Sequence, residues 1–270
     1  MKERQAKNDS GKSSQERVFR IAIALLGMIF CVAVVKVVMY YQDMQKSKNY
    51  AQKLQEAVMQ QTDAETADQA DFGEKKDTAE EESIPEQIDF ASLQQISTDA
   101  KAWIFSPETK INYVIAQAQD NDYYLHRLLD GTEARAGTLF LDYRNQEDFS
   151  DWNTIVYGHH MKDGSMFASL INYQNQNYYE EHPVMYLYLP KHRYRLEVIA
   201  GYTTGTEDQI YTIPWTIAEK QQLVEYVTKK SDFHVGVVVD ENDRLVTLST
   251  CSYSYDDARY VVIAKIVEEK

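Results

Sequence analysis

The sequence predicts a mostly β domain: a closed barrel with N-terminal helices and one long inserted helix, preceded by a transmembrane helix. Three observations carry that expectation. An uninterrupted apolar run follows a basic N-terminus. The second half of the chain alternates β-branched and aromatic runs with turn residues. One long segment among them opens with the signals of a helix start.

The apolar run is Ile21 to Tyr41, broken only by Lys36. At 1.5 Å per helical residue it is long enough to cross roughly 30 Å of hydrocarbon. Lys36 sits near the outer end, where its amine can reach the headgroups, and Tyr40 and Tyr41 suit the interfacial aromatic belt. Lys2, Arg4, Lys7, Lys12, Arg17 and Arg20 outnumber the acidic residues before the span. That excess predicts residues 1–20 in the cytoplasm and everything after Tyr41 outside. A cleaved signal peptide is the alternative, but no small-residue cleavage site follows the run.

Residues 42–84 are rich in Gln, Ala, Asp, Glu and Lys, with an acidic run from Asp77 to Glu82. Such a composition buries little apolar surface, so the segment reads as an acidic extracellular stalk. Within it, Tyr50, Leu54 and Val58 recur at four-residue spacing, which predicts a helix over Asn49 to Gln61. The globular domain then runs over 85–270. Short helices are expected over Leu93 to Trp103 and Asn121 to Leu129. Strands are expected over Ala136 to Tyr143, Thr154 to Tyr157, Val184 to Leu189, Tyr194 to Thr203, Val235 to Val239, Arg244 to Thr250 and Tyr260 to Val267. The long helix is Thr216 to Lys230, where Thr216 and Glu219 have capping-box spacing after Pro214. No internal repeat is visible.

Composition excludes one class of partner. The net charge of −14 argues against nucleic acid, whose phosphates demand clustered Lys and Arg. The twenty tyrosines suit core and rim positions of a β-rich fold, and also a groove that holds peptide. Of the two cysteines, Cys31 lies in mid-span and reads as a lipid-facing apolar residue, so Cys251 stands as a free thiol outside the cell.

The chemistry is written around Cys251. A thiol becomes an acyl-transfer nucleophile when a proton partner and an oxyanion donor stand beside it. The strand Arg244 to Thr250 runs straight into Cys251, and a short turn-like loop, Ser252 to Ala258, leads to Arg259. If the flanking strands pair as a hairpin, Arg259 comes beside Cys251, where a guanidinium favours the thiolate and can bond an oxyanion. Leu245, Thr247, Ser249 and Cys251 share one strand face, which turns small and polar towards its end. A buried strand-end cysteine is the bland alternative. Gly158, His159 and His160 follow the strand Thr154 to Tyr157. Consecutive extended residues point to opposite sides, so the two histidines do not read as a metal pair, and no other ligand spacing supports a metal.

These segments together resemble the sortase family. Thr247-Leu-Ser-Thr-Cys251 resembles its T-L-x-T-C signature, with Arg259 eight residues on. Asn153-Thr-Ile-Val-Tyr-Gly-His159-His-Met resembles its histidine segment. Ile111-Asn-Tyr, Asp120-Asn-Asp-Tyr-Tyr-Leu125 and Ala136-Gly-Thr-Leu-Phe-Leu-Asp-Tyr-Arg144 resemble class B members, and the likeness runs from about Phe90 to Lys270. The resemblance implies a sortase-type barrel and a cysteine transpeptidase without a cofactor. Cys251 matches the nucleophile, His159 the general acid/base, and Arg259 the residue that holds substrate and oxyanion. Ser249, Thr250, Thr206, Tyr211 and Asn112 match groove positions. Ile210 departs from a tyrosine found near there in class B enzymes, with Tyr211 as its substitute. The implied substrates are a secreted protein with a sorting motif of Asn-Pro-x-Thr type, cut at a threonine carbonyl, and a peptidoglycan-precursor amine. A pilin polymerase with a lysine acceptor would use the same chemistry. A peptidoglycan cross-linking transpeptidase would show a Ser-His-Gly-Cys type motif, which is absent. A surface-binding module would have no use for this trio.

Overall fold

In a computed structural model, residues 2–64, 84–251 and 257–269 are described. The chain forms two compact units, residues 1–46 and residues 47–270. The acidic run and most of the loop after Cys251 fall outside the described residues.

In the first unit the chain is helical throughout its described length, within α1 (Lys2–Ala64). Phe19, Leu26, Met28, Ile29 and Phe30 are all exposed, as is Cys31. Among the described residues this is the one helix long and apolar enough to cross a membrane, and its apolar stretch begins at Phe19. Exposed apolar side chains on such a helix are matched by lipid rather than by protein.

The second unit is an eight-stranded closed barrel. Its strands are β1 (Ala100–Phe105), β2 (Asn112–Ala116), β3 (Leu139–Leu141), β4 (Asn153–Gly158), β5 (Val184–Leu189), β6 (His192–Thr204), β7 (Arg244–Cys251) and β8 (Arg259–Glu268). They close in the order β1-β2-β3-β4-β7-β8-β6-β5. The pairs β2·β3 and β4·β7 are parallel, the others antiparallel. Strand alternation decides what lies inside. Val246 and Leu248 of β7 join Val156, Leu187, Leu196 and Val262 in one core, whereas Leu245 packs in another with Ile263, Leu223 and Val227. Leu223 and Val227 belong to α4 (Ile217–Lys230), whose N-terminus carries the expected capping box of Thr216 and Glu219.

The first helix continues into this unit. Tyr50, Leu54 and Val58 fall on one face, as their spacing predicts, and pack with Ile88, Phe90, Leu93 and Trp103. Gln55 Nε2 donates to the Asn112 carbonyl at 2.7 Å, and Lys48 pairs with Asp163 at 3.1 Å. The segment expected to be stalk is therefore, from Ser47 to Val58, part of the globular unit.

Other expectations differ from the structure. The helix expected over Leu93–Trp103 ends early: α2 spans Phe90–Ile96, capped by Asp89, and the chain then turns into β1. The burial of Ala102 and Ile104 in one core and of Trp103 and Phe105 in another shows a period of two that overrides the helical reading. β2 was not expected either. Asn121–Leu129 makes only a 3-10 turn, Tyr123–Leu125. Val235–Val239 is not a strand, although Val237 and Val239 are packed and Val238 is exposed. The barrel is closed, so no free edge remains for it to join.

Candidate active site

The site stands where β4 and β7 end and β8 begins. Gly158 of β4 faces Thr250 of β7, and Cys251 faces Arg259 of β8. His159 follows Gly158, so His159, Cys251 and Arg259 occupy neighbouring register positions across three strands. The parallel pairing of β4 with β7 is what brings the histidine in. Gly158 has a packing reason to be glycine: a Cβ there would lie 2.3 Å from Leu139 Cδ2 and 2.6 Å from Phe167 Cδ2.

His159 is held by its backbone neighbours. Its Nε2 lies 2.7 Å from the Leu125 carbonyl oxygen. A carbonyl only accepts, so Nε2 carries the proton and Nδ1 is the nitrogen left for proton transfer. The His126 ring stacks on His159 at 5.9 Å between centroids. Burial pushes the His159 pKa below the ordinary histidine value; the Leu125 bond opposes this, and His126 and Arg259 add to it. Gly137 lets the chain pass close to the Leu125 carbonyl. It has φ +58°, and a Cβ there would meet the Tyr124 and Leu125 oxygens at 2.4 and 2.6 Å. His160 instead pairs with Met166 in an isolated bridge.

A cleft of about 580 Å³ opens at this end of the barrel. His159, Arg259, Ser249, Thr250, Thr206 and Tyr211 all line it. Ser249 Oγ and the Tyr211 hydroxyl are 2.9 Å apart. Arg259 Nη1 donates to the Ala258 carbonyl at 3.1 Å. Asn112 is not brought to the cleft. It opens β2, is buried, and accepts at Oδ1 from Trp103 Nε1 at 2.7 Å, so its amide serves the core. Ile210 is also buried beside the cleft, and Tyr211 occupies the wall.

Sequence reasoning missed the polar frame of this cleft. Tyr157 stacks on Tyr211 at 6.2 Å and donates its hydroxyl proton to Asp142 Oδ2 at 3.0 Å. Arg144 forks onto Asp142 through Nε and Nη2, each at 2.8 Å, and Nη2 also donates to the Tyr211 carbonyl at 3.2 Å. Burial opposes ionisation of Asp142, but these donors outweigh it and hold its pKa below the usual carboxylate value. Asn153 Nδ2 donates to the carbonyls of Ile210 and Thr212, and its Oδ1 accepts from Thr247 Oγ1. The only sequence signal for these residues was their place inside the segments Ala136–Arg144 and Asn153–Met161.

The chain is similar to known proteins in sequence and in fold. The family model described as "Sortase domain" matches residues 104–267. Sortase B of Listeria monocytogenes is 39% identical over 180 residues, 65% of this chain and 72% of the relative. Sortase B of Staphylococcus aureus is 36% identical over 182 residues, 66% of this chain and 75% of the relative. Among solved structures, the S. aureus sortase B–substrate complex has a TM-score of 0.72 at 30% identity, covering 85% of this chain and 100% of that one.

Proposed function

The chain belongs to the sortase family, in class B, and from that premise we propose that it is a membrane-anchored cysteine transpeptidase that joins secreted proteins to a cell-wall amine. The reading is supported above all by the register of β4, β7 and β8, in which Gly158 faces Thr250 and Cys251 faces Arg259.

Cys251 is the nucleophile. His159 Nδ1 takes the proton of the Cys251 thiol, the resulting thiolate sulfur attacks the carbonyl carbon of a threonine in the sorting motif, and Arg259 donates a hydrogen bond to the oxyanion that forms. The C–N bond then breaks, and His159 delivers the proton that the leaving amine needs. A thioester remains on Cys251. The acceptor amine attacks it and gives a proton to His159, and the thiolate leaves as the new amide forms. Nδ1 of His159 handles both protons, since Nε2 is engaged with Leu125. The buried, neutral-leaning imidazole suits a base at neutral pH. Ser249, Thr250, Thr206 and Tyr211 border the bound motif, for which an Asn-Pro-x-Thr type is the first candidate. The chain is anchored by residues 21–41, N-terminus inside and catalytic domain outside.

The test is transfer of a labelled Asn-Pro-x-Thr peptide to an amine acceptor. Wild-type protein should trap a thioester that hydroxylamine releases, and Cys251→Ala should show neither trapping nor transfer. Turnover by the alanine variant near the wild-type rate would sink the mechanism.

A further inference from the structure

We propose that Asp208 is a positioning residue for substrate binding, and that α4 serves as the fixed base to which Asp208 ties the cleft wall. The proposal rests on the transpeptidase reading for the meaning of the wall, but not for the geometry that holds it. The wall is the segment after β6. Thr206, Glu207, Tyr211 and Thr212 border the cleft, and Thr206 and Glu207 are exposed. An exposed loop of this kind keeps one shape only if something over-determines it.

Asp208 does so with five hydrogen bonds. Oδ1 accepts from the Ile210 amide at 2.9 Å and the Tyr202 hydroxyl at 3.1 Å. Oδ2 accepts from the Thr204 hydroxyl, from the Tyr226 hydroxyl at 2.8 Å and from Lys230 Nζ at 2.8 Å. Tyr202 and Thr204 close β6, Ile210 lies in the wall, and Tyr226 and Lys230 belong to α4. One carboxylate thus joins three elements. The side chain is only 5% exposed. The Lys230 ammonium also lies 4.8 Å from the ring centroids of Tyr202 and Tyr226, which fixes the cation that faces Asp208. The Tyr211 amide closes the turn on the Asp208 carbonyl at 3.1 Å. Asn153 holds the far side of the same segment from β4, so Asp208 has charge of the part that contains Thr206 and Glu207.

The arrangement meets the row of His159, Cys251 and Arg259 at the backbone, where Thr204 of β6 faces Arg259 of β8, while the bonds to the Asp208 carboxylate come from β6, the wall and α4. Losing it should therefore weaken peptide binding and leave the nucleophile intact. Asp208→Asn keeps the size of the side chain but leaves one acceptor oxygen for five donors. Three measurements decide the matter: amide exchange of residues 204–212 against residues 259–267, KM and kcat for the sorting peptide, and the rate at which a small alkylating reagent labels Cys251. The expected result for Asp208→Asn is exchange over 206–211 faster by about tenfold or more, with β8 unchanged. KM should rise by about tenfold while kcat stays within about threefold. Labelling of Cys251 should not change. A weaker shift in the same direction is expected for Tyr226→Phe with Lys230→Met. Unchanged exchange over 206–211, or a fall in kcat and labelling at constant KM, overturns the proposal. If Asp208→Asn also loosens β8, the Tyr226→Phe, Lys230→Met pair decides by the same criteria. If the wild-type protein transfers no sorting peptide, the transpeptidase reading fails, and the exchange data alone still decide whether Asp208 fixes the wall.

Discussion

At the scale of single residues, the two consecutive histidines have different surroundings. His159 bonds the Leu125 carbonyl and lines the cleft, whereas His160 bridges to Met166. His159→Ala should abolish transfer, and His160→Ala should retain most of it; equal losses would refute the assignment. The burial of His159 also sets a sign. Its pKa lies below the ordinary histidine value, so its protonation opposes folding. That penalty is absent above about pH 6.5 and grows as the pH falls through that value to the lower pKa of the folded state. Histidine titration followed by NMR should place His159 below the free value, and Arg259→Ala should raise it by removing a nearby positive charge. For Arg259 itself, lysine keeps the charge but loses the planar fork of donors. If the fork bonds the oxyanion, Arg259→Lys should lower kcat by about 10²–10³-fold. A rise in KM alone would assign Arg259 to ground-state binding.

At the scale of elements, the informative piece is the last part of α1. Tyr50 accepts from the Asp130 amide at 3.1 Å, and burial, with the Asp130 carboxylate, pushes its phenol up to about 12. Leu54 and Val58 are 6% and 2% exposed. Removing this helical segment strips cover from Ile88, Phe90, Leu93 and Trp103. At about 1.5–3 kcal/mol per large buried apolar side chain, a chain starting at Ser83 should be less stable than one starting at Ser47 by roughly 3 kcal/mol. Urea denaturation of the two chains measures it. Equal midpoints would mean that the segment merely rests on the barrel and that the stalk begins at the membrane.

At the scale of the whole molecule, charge and hydropathy divide the labour. The apolar helix carries no polar groups that suggest chemistry, and the polar frame of the cleft lies entirely within residues 47–270. The expected topology is a single pass with the basic N-terminus inside. Protease added to intact cells should therefore remove an epitope placed after Lys270 and spare one placed before Met1. Protection of the C-terminal epitope would reverse the orientation. Against the overall charge of −14, the cleft lining carries Arg144 and Arg259 beside Asp142, Glu207 and Asp208, so its field is mixed rather than positive.

The sequence by itself determined the apolar span, the barrel class and the capped helix α4, and it nominated the residues of the site row, because each leaves a local trace. An apolar run, a period of two, a capping box and the two motifs around His159 and Cys251 can all be read within a few residues. Only the tertiary structure decided β1 and β2, whose residues are buried on both sides and so lose the alternation that marks a half-exposed strand. It also decided that Val235–Val239 stays unpaired, because a closed barrel has no edge to offer. Asn112 was matched to the groove by its motif and proved to serve Trp103, since a motif fixes neighbours in sequence and not the direction of a side chain. Asp208, Arg144 and Asp142 left no signal of their own. Arg144 and Asp142 pair across two residues, but the partners that tie them and Asp208 to the cleft, such as Tyr211 for Arg144 and Tyr226 for Asp208, lie on other elements, and hydrogen bonds across such separations exist only once the barrel has closed.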